Sequence, residues 1–224
     1  MTQHHYSRKL LLDYELQQIC NLLSSTVETD WMDGLHSVSN SNENTKQLKQ
    51  LTQLNNYQIN SNINSIIINA LERDGGFDLL VCPKTTGFIM ITKMKMGDYY
   101  RLHHDLGLNG HYSTTVFLSD PDTYEGGELV LHNDFGSHKI KLDAGEAITY
   151  DTGILHEVST VESGERLAAV FWTTSRFSDP FLRSIHYKVN ESLRVLDRTE
   201  SNEYITEAIF NLNQISHDLL RRTL

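Results

Sequence analysis

Between residues 77 and 172 the chain breaks into short apolar or β-branched runs separated by turn residues at close intervals, and few architectures accept that pattern. Residues 88–94 (FIMITKM), 99–105, 113–118 (STTVFL), 128–132 (ELVLH), 139–142 and 147–150 read as strands. Gly97-Asp98, Asp120-Pro121, Glu125-Gly126-Gly127 and Asp143-Ala144-Gly145-Glu146 read as the turns between them. Residues 154–161 (ILHEVSTV) and 165–172 (ERLAAVFW) are also strand-like, and Glu162-Ser163-Gly164 has the length and glycine of a hairpin loop between them. A helix-connected parallel sheet does not fit this succession. The class is mainly β with flanking helices, a sandwich or jelly roll.

The flanks carry the helices. Residues 13–23 (DYELQQICNLL) place apolar side chains at helical spacing behind a capping-type Asp13, and 63–73 (INSIIINALER) form a short helix stopped by Asp74-Gly75-Gly76. Residues 31–39 suggest a strand hairpin. Residues 39–62 are rich in Asn, Ser and Gln, and read as loop over much of their length, either a lid at the mouth of a site or a plain solvated segment. Beyond Asp179-Pro180, residues 181–196 and 202–222 form a helical pair packed on the core; a partner interface is the alternative and leaves a homo-oligomer open. One domain with appendages is expected: a support region over 1–76, a β core over 77–178 and a helical extension over 179–224.

Composition narrows the function. A net charge of −10 and a pI near 5.5 argue against nucleic acid as a general partner. The two cysteines, Cys20 and Cys82, lie far apart with no CxxC, so neither a disulfide scaffold nor a thiolate zinc site is expected. No run approaches the ~20 apolar residues of a membrane span, and the N-terminal segment lacks the apolar stretch of a signal peptide. A soluble, cytoplasmic protein with no membrane partner is the expectation.

The residues that carry chemistry are His103, Asp105, His156 and Arg166. Side chains at i and i+2 leave the same side of a strand, so His103 and Asp105 can share a metal while a third ligand comes from elsewhere. Two imidazoles and one carboxylate leave coordination positions open, the arrangement of non-haem Fe(II) oxygenases. In the expected hairpin Thr160 lies opposite Arg166 and shares parity with His156, which puts Arg166 and His156 on one face, roughly 13 Å apart at strand rise. A guanidinium there suits the far carboxylate of a small diacid. His104 has the opposite parity and belongs outside or behind the ligands, while His111, His132 and His138 read as surface residues. Trp172 reads as core; Tyr100 and Tyr112 either line the pocket or pack in the core. Gly126-Gly127 suits a turn rather than a catalytic carboxylate pair, and no catalytic residue is expected beyond the metal site. The rival reading is a jelly-roll module that binds metal without turnover. It has no use for a diacid anchor.

The run YYRLHHD, then TTVFLSDPDTYEGGEL, then KLDAGEAITYDTGILHEVSTVESGERLAAVFWTTS resembles the Fe(II)/2-oxoglutarate-dependent dioxygenases, and within them the PKHD-type hydroxylases, relatives of the prolyl 4-hydroxylases. The likeness extends to WMDG at residue 31, KQLKQLTQLNN, ALERDGGF and the C-terminal HDLLRR, and so covers most of the chain. HxD alone is weak, but FLSDP, YEGGEL and LHEV in this order are specific. The resemblance implies a double-stranded β-helix core, Fe(II) held by His103, Asp105 and His156, and Arg166 binding the C5 carboxylate of 2-oxoglutarate. It also implies O2 as oxidant, ascorbate as reductant, and hydroxylation of a peptidyl proline or small molecule while 2-oxoglutarate leaves as succinate and CO2. Two positions depart from the family: Met94 stands where a tyrosine is common nine residues before the first ligand, and Arg101 where a glycine is common.

Overall fold

The computed structural model describes residues 5–34, 49–105 and 110–223. Most of the expected 31–39 hairpin and the first part of the expected flap, residues 35–48, lie outside the described residues. The N-terminal part comprises β1 (His5–Lys9), α1 (Asp13–Ser24), β2 (Trp31–Asp33), β3 (Lys49–Gln50), β4 (Thr52–Leu54), α2 (Tyr57–Arg73) and α3 (Gly75–Val81). The strands β5 (Pro83–Thr86), β6 (Met90–Lys95), β7 (Tyr99–His103), β8 (Tyr112–Phe117) and β9 (Tyr124–Gly126) follow. Then come β10 (Leu129–Asn133), β11 (Gly136–Ile140), β12 (Glu146–Asp151), β13 (Leu155–Val158) and β14 (Val161–Ser175), with α4 (Pro180–Leu196) and α5 (Glu203–Arg221) at the end.

Two antiparallel sheets result. The larger runs β1-β12-β8-β14-β6-β4-β2, with β5 and β9 also paired to β14; the smaller runs β11-β10-β13-β7-β3. Alternation along β14 gives the larger sheet two buried faces. Ala169 and Phe171 join Ile19, Ile63, Ile67, Phe77 and Val81 in the layer made with α1, α2 and α3. On the other face, Phe117, Ile148 and Tyr150 meet Leu129 and Leu131 of the smaller sheet, and Met94 packs with Leu51 and Val161. At about 1.5–3 kcal/mol per buried Ile or Phe, this packing outweighs the surface ion pairs, so apolar contact holds helices to sheet. The fold is the helix-flanked, mainly β jelly roll that the strand pattern implied.

Several elements differ from expectation for identifiable reasons. The cap of α1 is Leu12 rather than Asp13: the Glu15 carboxylate accepts the Leu12 N–H at 2.8 Å. The same carboxylate takes both Arg73 nitrogens of α2 at 2.8 Å. These bonds, chiefly those from Arg73, hold the Glu15 carboxyl below the usual range against the opposing effect of burial. A depressed carboxylate contributes stability above its unfolded pKa and loses it as pH falls through the folded value. Glu15→Gln should therefore cost about 2 kcal/mol at neutral pH, or about 4–8 °C in Tm. The gap to the parent should close below pH ~4, as thermal unfolding across pH would show.

Helix α2 starts at Tyr57, six residues before the expected Ile63, because the Asn56 side chain caps it by accepting the Ile59 N–H at 3.1 Å. Its Asn- and Gln-rich first turns show solvent a polar face, with Gln58 donating to Asn62 at 3.2 Å, while Asn60, Ile63 and Ile67 are buried. Over 49–62 the expected loop is thus strand and helix. Helix α2 ends at Arg73 with Asp74 as its cap, as expected, but Asp74 also accepts the Gly76 N–H at 3.0 Å and α3 begins at Gly75, so residues 77–81 are helical rather than β.

The largest correction concerns residues 154–172. The expected hairpin is absent: β13 pairs with β10 and β7 in the smaller sheet, and β14 lies in the larger one. Only Ser159 and Thr160 separate the two strands, and there the chain crosses between layers. Gly164 sits inside β14 at φ +76, where a Cβ would press on the backbone of Thr123 and Tyr124. It admits the crossing of β9, not a turn.

Candidate active site

The meeting of β7 and β13 creates the site. His156 and His103 are directly opposed across these antiparallel strands, so their side chains leave one face together. Their rings lie 4.3 Å apart between centroids. Asp105, just beyond the end of β7, puts its Oδ1 3.8 Å from His103 Nε2 and its Oδ2 3.7 Å from His156 Nε2. One ligand atom from each of the three lies within 4.8 Å of the others, a cluster able to hold a metal ion. The Asp105 side chain is only 8% exposed and does not face bulk solvent.

Hydrogen bonding fixes which nitrogen faces the cluster. His103 Nδ1 lies 2.7 Å from the Arg101 carbonyl and His156 Nδ1 lies 2.9 Å from the Ile154 carbonyl. A carbonyl only accepts, so each Nδ1–H donates and each neutral ring turns the lone pair of Nε2 toward Asp105. Ser113 of β8 donates its hydroxyl to Asp105 Oδ2 and aims the carboxylate. Tyr100 stacks on the His103 ring at 3.8 Å between centroids, and Tyr150 meets His156 edge-on at 5.3 Å. Burial, with Asp105 adding to it, pushes the Tyr100 hydroxyl up to about 12 and that of Tyr150 well above its ordinary range. Both stay protonated near neutral pH.

Arg166 reaches the same inter-sheet space from the opposite wall. It is 2% exposed, and burial lowers its pKa, yet a guanidinium this basic stays charged. Its Nη1 meets the Met94 sulfur at 3.8 Å, its carbon end lies over Phe117 at 5.5 Å, and its Nε has no hydrogen-bond partner. Among the described residues no carboxylate lies within ion-pair distance. Gly127, at φ +65, makes room for it: a Cβ there would stand 3.0 Å from Arg166 Cδ. The expected face-sharing of Arg166 and His156 on one sheet is therefore replaced by a facing arrangement. Arg166 projects from β14, where its register partner is Met94 rather than Thr160, and His156 projects from β13.

Other expected residues sort cleanly. His104 turns outward, its Nδ1 3.1 Å from the Gly153 carbonyl. His132 pairs with Glu157 at 3.2 Å, and His111 accepts the Ser175 N–H at 3.0 Å; neither joins the cluster. His138 is exposed on β11. Tyr112 packs with the helical layer, while Tyr100 lines the site. Trp172 shares the Arg166 face of β14, but is half-buried rather than core, its indole N–H enclosed without a partner. Ser113 and Tyr150 were missed. The signal was present for both: Ser113 is the cross-strand partner of both Tyr150 and Trp172, positions that period-2 alternation puts on the inner face.

Comparison with known proteins agrees with this geometry. The family model described as the 2OG-Fe(II) oxygenase superfamily matches residues 89–174, a span containing His103, Asp105, His156 and Arg166. A PKHD-type hydroxylase of Stenotrophomonas maltophilia is 32% identical over 202 residues, covering 86% of this chain and 88% of its own. One from Thermosynechococcus vestitus is 34% identical over 199 residues, covering 84% and 85%. Among solved structures, a Pseudomonas putida prolyl-4-hydroxylase superposes with a TM-score of 0.55 at 15% identity, over 79% of this chain and 95% of that one. That likeness carries the fold alone. The two curated relatives carry more, because each is more than 30% identical over most of both chains: this chain belongs to the PKHD-type hydroxylases, and is an enzyme of the 2OG-Fe(II) oxygenase superfamily.

Proposed function

We propose that the protein is an Fe(II)- and 2-oxoglutarate-dependent dioxygenase in which His103, Asp105 and His156 hold the iron and Arg166 holds the far carboxylate of 2-oxoglutarate. The observation that carries this reading is the fully buried Arg166 guanidinium, without an acidic partner among the described residues and facing a two-histidine, one-carboxylate cluster. A buried charge left unpaired is costly, and a diacid chelated at the cluster supplies the missing anion. When bound, iron and 2-oxoglutarate supply the oxidation, in which O2 is consumed, succinate and CO2 leave, and one oxygen atom goes to the substrate.

The chain's own residues prepare that chemistry. Tying Nδ1–H of His103 and His156 to backbone carbonyls selects the tautomer whose Nε2 lone pair is offered to the metal. Asp105 adds the negative charge that offsets part of the metal's, held by Ser113. Tyr100 packs flat against His103 and resists rotation of the ring. Arg166 orients the oxo acid by its far end, so the keto end meets the cluster. No side chain is required as general acid or base. A peptidyl proline is the substrate class to test first, on the likeness to a prolyl-4-hydroxylase, with ascorbate keeping the iron reduced. A metal-binding module without turnover leaves Arg166 without a purpose.

The decisive experiment mixes purified protein with Fe(II), ascorbate and 2-oxoglutarate. Slow succinate formation is expected without added substrate, abolished by His103→Ala. Anaerobically, the Fe(II)–2-oxoglutarate chelate should give a visible absorption band. Absence of that band in iron-loaded protein would overturn the reading.

A further inference from the structure

We propose that the last helix, α5, is a two-fold interface that joins the protein to a second copy of itself through antiparallel α5–α5 contact. Helix α5 spans 19 residues, yet Ser216 is its only buried residue among those described. Ser216 accepts from Asn190 of α4 at 3.3 Å, and Ile205, Ile209 and Leu212, partly buried, lie on the same side of the helix. The flanks are open to solvent, with Phe210 65% and Tyr204 81% exposed. Helices in proteins are held mainly by packing of an apolar face. Here one side is packed and an aromatic residue is left bare on each flank.

One flank is written to match itself. Glu203, Glu207, Phe210, Gln214, His217 and Arg221 recur at steps of four and three, the spacing of a seam that meets another helix, and all six are exposed. Acid stands at one end, base at the other, and the aromatic near the centre. An antiparallel second copy, with the two-fold axis level with Leu212, sets Glu203 opposite Arg221 of that copy, Glu207 opposite His217, and Phe210 opposite Gln214. Symmetry makes each pair twice. The two Phe210 side chains then stand about 6 Å apart along the helix direction at 1.5 Å per residue, close enough to pack. A parallel copy would instead oppose like charges.

The helix dipole favours Glu203 in the first turn and Arg221 in the last, but its influence fades within a turn. It does not reach Glu207 or His217, and it gives no reason for a bare phenylalanine between them. The other flank, with Tyr204, Ile215 and Arg222, offers no acid to match its base in a self-pairing. Arg221 lies 3.4 Å from Asp218 of its own helix, and its five donors can serve a second carboxylate as well. At a net charge of −10 per chain, two copies repel over most of their surfaces, so association needs a place where acid meets base. A cavity of about 980 Å³ opens beside the same flank, lined by Asn213, His217 and Arg221 of α5 and by His186 and Arg194 of α4. Phe210 of the second copy arrives at its edge, and an aromatic anchor contributes most where it meets such a recess.

Sedimentation velocity of the purified protein over a dilution series tests the interface. The parent should pass from a dimer of twice 25.7 kDa to a monomer on dilution, and added salt should favour the monomer. Phe210→Asp should weaken the dimer by about 30-fold or more. Two further variants test the charges: Glu203→Arg with Glu207→Arg in one chain, and His217→Glu with Arg221→Glu in another. Each alone should be monomeric, because its seam repels its own copy, and an equimolar mixture should dimerise, since every pair is again acid against base. A parent that is monomeric at every concentration overturns the proposal. So does a Phe210→Asp protein that dimerises like the parent, a charge variant that dimerises alone, or a mixture that stays monomeric.

Discussion

Arg166→Met should raise the melting temperature of the protein free of metal and oxo acid, and should erase the extra stability that 2-oxoglutarate confers on the metal-loaded form. The guanidinium is enclosed on all sides with its Nε unpartnered, so its burial costs the empty fold free energy. Exchange of buried charge for apolar side chains of similar size stabilises by about 1–4 kcal/mol in comparable settings, which in a chain of this length is several degrees. Methionine matches the length of the arginine stem and would lie beside Met94. The opposite holds for the ligand: loss of one member of a buried charge pair costs about 2–5 kcal/mol, or roughly 30- to several-thousand-fold in affinity for 2-oxoglutarate. Thermal unfolding with and without Mn(II) and 2-oxoglutarate reads both effects at once. A variant that is simply less stable in every condition would mean that Arg166 serves the fold and not a co-substrate.

Asp105→Ala should have the second large effect. Its carboxylate oxygens lie 3.7 and 3.8 Å from the two imidazole nitrogens and supply the cluster's only negative charge among the described residues. Loss of a residue that merely orients a ligand costs 10- to 100-fold in metal affinity; loss of the anionic ligand itself should exceed ~100-fold. Equilibrium dialysis with Mn(II) measures this directly, and succinate formation should fall to background in parallel. Retained metal affinity would move the centre elsewhere.

How much of this was legible in the residues depends on the range of the interaction concerned. Strand alternation is local, so the inner positions of β8 and β12, and the pairing of His103 with Asp105 on one side of the chain, were readable from spacing. Which strand lies beside which is not local. Leu155–Val158 and Val161–Ser175 are separated by two residues and still enter different sheets, because Val161 must turn inward to pack with Met94 and Leu51. A short link with a nearby glycine reads as a hairpin, and nothing in the sequence distinguishes a glycine that turns the chain from Gly164, which lets β9 pass. Composition misled in the same way at residues 57–62. The asparagines and glutamines there are the wet side of a helix whose dry side begins only at Asn60 and Ile63.

The histidines stand on the thinner layer of the sandwich and the arginine on the thicker one. On the proposed reading, a co-substrate gripped at both ends becomes a tie-rod between the layers. Release of spent succinate and a slight parting of the two walls would then be one motion, and the stiffness of the β scaffold itself would help set how fast the enzyme is ready for its next cycle.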